Sequence, residues 1–252
     1  MPNLVLVRHG KTEWSNQNRF AGWADAPLST TGEQEARAAG RSLAAAGFRF
    51  DLCCTSLLSR AGRTLEILLE ELGRPQVEVV RSWRLNERHY GALQGQVRAK
   101  VALQYGNDQV ALWRRSFDAA PPELPDGDPR LPSLDPLYAG LDPALLPRSE
   151  SLAQAAERVT PWWRDFLVPR LRRGDLVLVV AHTSSIRGLV RQIEGLDDNA
   201  SAAFRIATAL PVVYSLDEAL RVQDKQEITA DWSSRMRNFL TKHKPGKRIS
   251  WI

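Results

Sequence analysis

The sequence predicts an α/β fold: a three-layer sandwich with a mainly parallel central sheet flanked by helices. Two observations carry this. Short apolar runs, "LVLV" at 4–7 and "DLVLVVAH" at 175–182, have the length and composition of buried central strands. Segments with helical periodicity alternate with such runs, the order that builds a parallel sheet through crossover connections. The 252 residues suffice for one large domain, and a single α/β domain is expected over 1–222.

Each element has a local reason. After the first strand, "STTGEQEARAAGRSLAAAG" offers hydroxyl caps at Ser29 to Thr31, with Thr30 and Glu33 at capping-box spacing, and its Ala-rich helix stops near Gly47. "DLCCTS" (51–56) reads as the second strand. "LLSRAGRTLEILLEELG" aligns Leu57, Leu58, Ala61, Leu65, Leu68, Leu69 and Leu72 on one helical face and ends at Gly73. "QVEVV" (76–80) is a third strand. Residues 118–148 hold eight of the fifteen prolines, too many for a helix or a sheet ladder, and read as an insertion over a site. A long helix follows, with Leu152, Ala155, Ala156, Val159, Trp162, Trp163, Phe166 and Leu167 in register and a bend or restart at Pro161. The indoles of Trp162 and Trp163 are read as core. "SSIRGLVRQIEG" forms a helix closed by Gly195, and "PVVYSL" (211–216) a further strand. The last thirty residues have no strong pattern, and 223–252 is expected to be a partly mobile tail.

Composition narrows the function. Net charge is +5, spread along the chain, with no zinc-finger spacing, helix-turn-helix or aromatic RNA-binding run, so small anionic ligands are expected rather than nucleic acid. No apolar run reaches membrane-spanning length. The start "MPNLVLV" lacks a basic leader and a cleavage site, so a cytoplasmic protein is expected. Cys53 and Cys54 are adjacent, too close for a disulfide between them, and read as reduced packing residues.

The candidate chemistry lies at strand ends. His9 follows "LVLV" and His182 follows "LVLVVA". Ligands of open α/β sheets gather at the carboxyl ends of strands, and neighbouring strands would bring the two imidazoles together. A neutral imidazole can attack phosphorus, and the transferring phosphoryl group then needs fixed positive charge. Arg8 adjoins His9, and Arg60 lies in the first turns of the helix after the second strand. "NERHYGALQG" supplies Glu87, a candidate to exchange protons with a hydroxyl, together with Arg88, His89 and Tyr90. His89 is read as a loop hydrogen-bonding group. "WRRSF" supplies Arg114 and Arg115, suited to carboxylate or phosphate. A zinc site on His9, His89 and His182 is disfavoured by its spacing and its arginines.

Taken together, "LVLVRHG", "NRFAGWADAPLSTTG", "LNERHYGALQG", "YGNDQVALWRRSFDAAPPELP" and "ESLAQAAERVTPWW" resemble the histidine phosphatase superfamily, and within it the phosphoglycerate mutases primed by 2,3-bisphosphoglycerate. The resemblance spans residues 3 to about 222. It implies a phosphoglycerate mutase-like fold, His9 as the phosphorylated nucleophile, and Arg8, Arg60 and His182 as groups that hold the phosphoryl group. It implies Glu87 as proton donor and acceptor. It places Thr12, Ser15, Gly22, Tyr90, Arg98, Arg114, Arg115 and Ser184 in the substrate pocket. The implied reaction is interconversion of 3-phosphoglycerate and 2-phosphoglycerate, a step of glycolysis and gluconeogenesis. The substrate is a small phosphorylated sugar acid; no metal is needed, and a homo-oligomer, dimer or tetramer, is expected by analogy. The chain departs from the family pattern at Ser15, Ala21, Thr183 and Ser184, and Arg98 stands for the usual lysine. Those departures leave a phosphatase on the same scaffold, or a non-catalytic binding paralogue, as the competing readings.

Overall fold

The computed structural model describes residues 3–229. Six strands form one sheet in the order β3-β2-β4-β1-β5-β6: β1 (Asn3–Arg8), β2 (Leu52–Thr55), β3 (Glu78–Arg81), β4 (Leu176–Ala181), β5 (Val212–Leu216) and β6 (Val222–Glu227). β1, β2, β3 and β4 pair in parallel, and β5 and β6 add an antiparallel edge, so the sheet is mainly parallel as expected.

The central strands are apolar throughout because both faces are covered. Leu4, Leu6, Cys54, Val177 and Val179 face one cluster, which includes Val159, Trp162, Trp163, Ile186, Leu189 and Ile193. These come from α6 (Leu152–Trp162), the segment after it and α8 (Thr183–Glu194). Val5, Val7, Cys53, Leu178 and Val180 point the other way, toward Ala39, Leu43, Leu65, Leu68 and Leu69 of α2 (Thr30–Ala45) and α3 (Ser59–Glu71). Helices on both faces complete the three layers. Burial pushes the Cys53 thiol up to about 12, so it packs as a neutral side chain.

Several local expectations are corrected. The cap of α2 is Ser29, whose hydroxyl accepts the Gly32 amide; Thr30 is already helical and no Thr30–Glu33 box forms. Gly32 sits where a Cβ would be 2.0 Å from the Lys11 carbonyl oxygen, so the helix start lies directly on the backbone that follows His9. Past Pro161 the α-helix is interrupted and restarts, in line with the expected bend or restart. It widens into a π-helical turn at Trp163–Leu167 and resumes as α7 (Val168–Arg172). Residues 223–227, expected to begin a partly mobile tail, complete β6 with Val222, and their run of exposed polar residues suits an edge strand; residues 230–252 lie outside the described residues. Two short helices, α4 (Arg98–Tyr105) and α5 (Asn107–Arg115), were not marked by periodicity.

The Pro-rich segment has no α-helix or strand, only 3-10 turns opened by Pro132, Pro136 and Pro143. It lies against the 86–94 loop: Ala92 donates its amide to the Pro122 carbonyl at 2.8 Å, and Arg130 donates to the Gln94 carbonyl at 3.1 Å. Tyr138 is buried, stacks on Trp23 with centroids 4.9 Å apart, and accepts from Asn86 Nδ2 at 2.9 Å.

One strained residue borders the strand ends. Ala209 has φ +48° and donates its amide to the Arg8 carbonyl at 2.8 Å. The left-handed region costs an L residue about 1–2 kcal/mol, and glycine gives back about 0.5–1 kcal/mol in unfolded-chain entropy. Ala209→Gly is therefore expected to raise stability by about 0.5–1 kcal/mol in urea unfolding; an unchanged or lower midpoint would show that the loop is relaxed with alanine.

Candidate active site

Parallel pairing of β1 with β4 sets Arg8 opposite Ala181, so the next residues, His9 and His182, leave the sheet side by side. Their ring centroids are 4.9 Å apart. His9 Nδ1 lies 2.7 Å from the Gly10 carbonyl oxygen. A carbonyl only accepts, so Nδ1 carries the proton and Nε2 keeps its lone pair. Burial pushes the His9 pKa well below the usual histidine value; Arg60 and Arg8 push it further, against the pull of the Gly10 bond. His9 is thus a neutral imidazole in a cationic pocket.

Two contacts fix its surroundings. Thr64, one turn after Arg60, accepts the Gly10 amide at 3.1 Å and donates to the Arg60 carbonyl at 2.7 Å, tying the nucleophile's loop to the helix that carries Arg60. His182 Nε2 meets Ser56 Oγ at 2.7 Å. Burial likewise depresses His182, with Arg60, His9, Arg158 and Arg8 adding to it.

The arginines are placed by backbone carbonyls. Arg60 is buried and donates to Ala24 at 3.0 Å and Gly22 at 2.6 Å. Gly22 has φ +59°, and a Cβ there would meet Gln94 Oε1 at 2.4 Å, so only glycine lets the chain present that carbonyl. Arg8 donates to the Ile206 carbonyl at 3.3 Å. Arg88, buried, donates to Tyr90 Oη at 2.9 Å and lies over its ring.

Glu87 is the acidic partner. Its Oε1 accepts the Arg88 amide at 2.8 Å and the Ser184 amide, in the first turn of α8, at 3.1 Å. Burial alone would raise its pKa. The Ser184 side chain and the Arg88 amide, with the Arg60 and Arg88 charges, outweigh burial and hold the carboxyl below its usual range.

The remaining sequence-marked residues divide. Ser184 donates its amide to Glu87, and its side chain also lowers the Glu87 pKa, so the residue type at 184 bears on that contact. Arg98 begins α4 and reaches over the Phe20 ring, and both burial and Arg114 lower its pKa. Tyr90 packs on Phe20. Arg114 is half-buried and gives its carbonyl to Arg88, whereas Arg115 is exposed. Thr12 and Ser15 cap the short helix α1 (Glu13–Asn16) reciprocally. The Ser15 hydroxyl accepts the Thr12 amide at 3.0 Å and donates to its carbonyl at 2.7 Å, which commits it to the cap. His89 is a loop group, as read: Nδ1 accepts the Gly91 amide at 3.0 Å, and burial with Arg158 and Arg130 depresses it to about 3.

Residue-by-residue reading missed Ser56, Thr64, Asn86 and the buried pair Glu150–Arg158. Arg158 had a signal: it falls among Ala155, Val159 and Trp162 on the apolar stripe of its helix, where a charge needs a partner.

Fold and site place this chain in a known class. It belongs to the histidine phosphatase superfamily (branch 1), whose family profile matches residues 4–130 and 135–241. It is 50% identical over 221 residues to a 2,3-bisphosphoglycerate-dependent phosphoglycerate mutase of Nitratidesulfovibrio vulgaris, covering 88% of this chain and 89% of that one. It is 48% identical over 218 residues to the enzyme of the same name from Thermobifida fusca, covering 86% and 88%. Among solved structures, a mycobacterial glucosyl-3-phosphoglycerate phosphatase shares the fold at TM-score 0.66 and 24% identity, covering 90% of this chain and 97% of that one.

The buried histidines couple stability to pH. His9, His89 and His182 are neutral in the fold and take up protons on unfolding below about pH 6.5. A depressed histidine pKa stabilises at high pH and loses that contribution as pH falls. Going from about pH 7.5 to about pH 5 is expected to cost roughly 2 kcal/mol per buried histidine in urea-unfolding free energy. Equal stability at the two pH values would contradict the neutral assignment.

Proposed function

We propose that this protein is a 2,3-bisphosphoglycerate-dependent phosphoglycerate mutase that interconverts 3-phosphoglycerate and 2-phosphoglycerate. The observation that carries the reading is about 50% identity, over nearly nine-tenths of both chains, to two enzymes of that name. The site is chemically suited to it. Arg8 Nε, Arg88 Nε and Nη1, and Arg98 Nε are buried N–H groups without an acceptor among the described residues, a donor set that fits a multiply anionic sugar acid.

When bound, bisphosphoglycerate supplies the phosphoryl group that primes His9. His9 Nε2 uses its lone pair to form the P–N bond, with Nδ1–H held on the Gly10 carbonyl. Arg8, Arg60 and His182 surround the equatorial oxygens and stabilise their charge. In the forward half-reaction the substrate hydroxyl attacks phosphorus and gives its proton to the Glu87 carboxylate, while the P–N pair returns to Nε2. In the second half, Glu87 returns that proton to the oxygen leaving the other phosphate as His9 is phosphorylated again. A low Glu87 pKa suits the resting state, where it must accept first. Arg98 and Arg114 orient the carboxylate end, with Arg115 at the exposed rim.

The Pro-rich segment 118–148 is read as a cover that keeps water from the phosphorylated histidine. The protein is read as a cytoplasmic homo-oligomer acting on small molecules; among the described residues no helix is long and apolar enough to cross a membrane. Hydrolysis is the second reading. The Ser15 hydroxyl is committed to its cap and Ala21 offers no polar side chain, so fewer contacts hold a reorienting intermediate.

Incubation with 3-phosphoglycerate, with and without bisphosphoglycerate, is expected to yield 2-phosphoglycerate in a primer-dependent way with little free phosphate. Free phosphate as the main product would replace the mutase by the phosphatase. The enzyme adduct should be acid-labile, base-stable and absent in His9→Ala. Arg60→Ala and His182→Ala should each lower turnover by roughly 10²- to 10³-fold; near-normal turnover in either would remove that residue from the site.

A further inference from the structure

Among the described residues, the ion pair with both side chains buried takes no part in the chemistry above, yet it grips the loop that carries Glu87. Arg158 donates from Nε to Glu150 Oε1 at 2.6 Å and from Nη2 to Glu150 Oε2 at 2.9 Å, with both side chains almost fully buried. Its Nη1 donates to the carbonyls of Trp83 at 3.1 Å and Arg84 at 2.7 Å, and the second Nη2 hydrogen is shared between those of Asn86 at 3.3 Å and Glu87 at 3.1 Å, all in one short segment. Glu150 Oε2 accepts the His89 amide at 2.9 Å, and the Glu150 amide donates to the His89 carbonyl at 2.8 Å. The Glu87 carbonyl receives a second donor, Trp23 Nε1, at 2.5 Å.

We propose that Glu150 and Arg158 are positioning residues for Glu87: they fix its backbone so that its carboxylate, and not that of a merely nearby loop, meets the substrate hydroxyl. The inference rests on the proton-transfer role given to Glu87 above. Three observations favour positioning over plain packing. A planar guanidinium offers five N–H donors in a fixed fork that span a carboxylate and several carbonyls of one curved loop; an apolar residue offers none, and a lysine only three from a single point. A buried ion pair seldom adds net stability over apolar replacement, so stability alone does not account for it. The contacts flank the one residue of that loop whose carboxylate accepts the Ser184 amide beside His182.

The test separates proton transfer from phosphoryl transfer. Phosphorylation of His9 by bisphosphoglycerate breaks a P–O bond, and its alkoxide leaving group takes up a proton that the Glu87 carboxylate first draws from water and then delivers. Phosphorylation by phosphoramidate breaks a P–N bond whose nitrogen is already protonated and leaves as ammonia, so it needs no proton from Glu87. In both cases the P–N bond to His9 Nε2 forms with its lone pair. The rates of phosphohistidine formation from the two donors are compared in the wild type, in Arg158→Lys and in the double variant Glu150→Met with Arg158→Met, which removes the pair without stranding a charge. Expected is a fall of roughly a hundredfold with bisphosphoglycerate, the scale of a small misplacement, and rates within about threefold of wild type with phosphoramidate. A parallel fall with both donors, or no fall with either, would overturn the positioning role. Glu87→Gln is measured alongside. If it fails to show the donor-selective loss, the role given to Glu87 itself is wrong; if it shows the loss and the pair variants do not, only the positioning inference fails.

Discussion

Everything at this site depends on the parallel pairing of β1 with β4. Their register places Arg8 beside Ala181, and the strands end together, so two imidazoles emerge with ring centroids 4.9 Å apart. Two-sided burial of those strands is what makes the edge dry: apolar layers cover both faces, and charges at their carboxyl ends are cut off from water. In that setting a histidine beside two arginines stays neutral, because a further positive charge would be both desolvated and repelled. A neutral ring whose Nδ1 is held by a carbonyl presents an unprotonated Nε2, the form a nucleophile requires.

The supporting contacts are mainly backbone groups. Carbonyls of Gly22, Ala24 and Ile206 hold Arg60 and Arg8; amides of Arg88 and Ser184 hold Glu87. This explains why altered side chains in the family motifs need not dismantle the centre. Ser184 stands for the family's asparagine, yet its amide still reaches Glu87, and its short side chain still helps to hold the carboxylate. The rim is different: Ser15 and Ala21 are side-chain changes at positions where the family has longer polar groups, and in the proposed reaction they leave fewer contacts to a reorienting intermediate.

Legibility followed physical pattern. Apolar runs and helical stripes marked the central strands and the long helices, and the two strand-end histidines followed from topology alone. Edge elements were harder: β6 is polar because it faces solvent, so its sequence "VQDKQE" carries little hydrophobic period. The α2 cap was narrowed only to Ser29–Thr31, since these hydroxyls are chemically alike; Ser29 takes the role, and the box spacing of Thr30 and Glu33 is not used. Ser56 and Thr64 were invisible since their roles arise from partners far away in the chain, His182 and Gly10. Arg158 was readable in principle, as a charge on an apolar stripe, but its partners on the 83–87 loop were not.

The central claim is the protonation state of His9, and nitrogen NMR of the histidine side chains reads it directly. In uniformly nitrogen-15-labelled protein at about pH 7, with His9→Gln used to assign the signals, the account predicts a neutral ring protonated on Nδ1 and bare on Nε2. That pattern should persist well below the usual histidine pKa. An imidazolium at neutral pH, or a proton resident on Nε2, would contradict it.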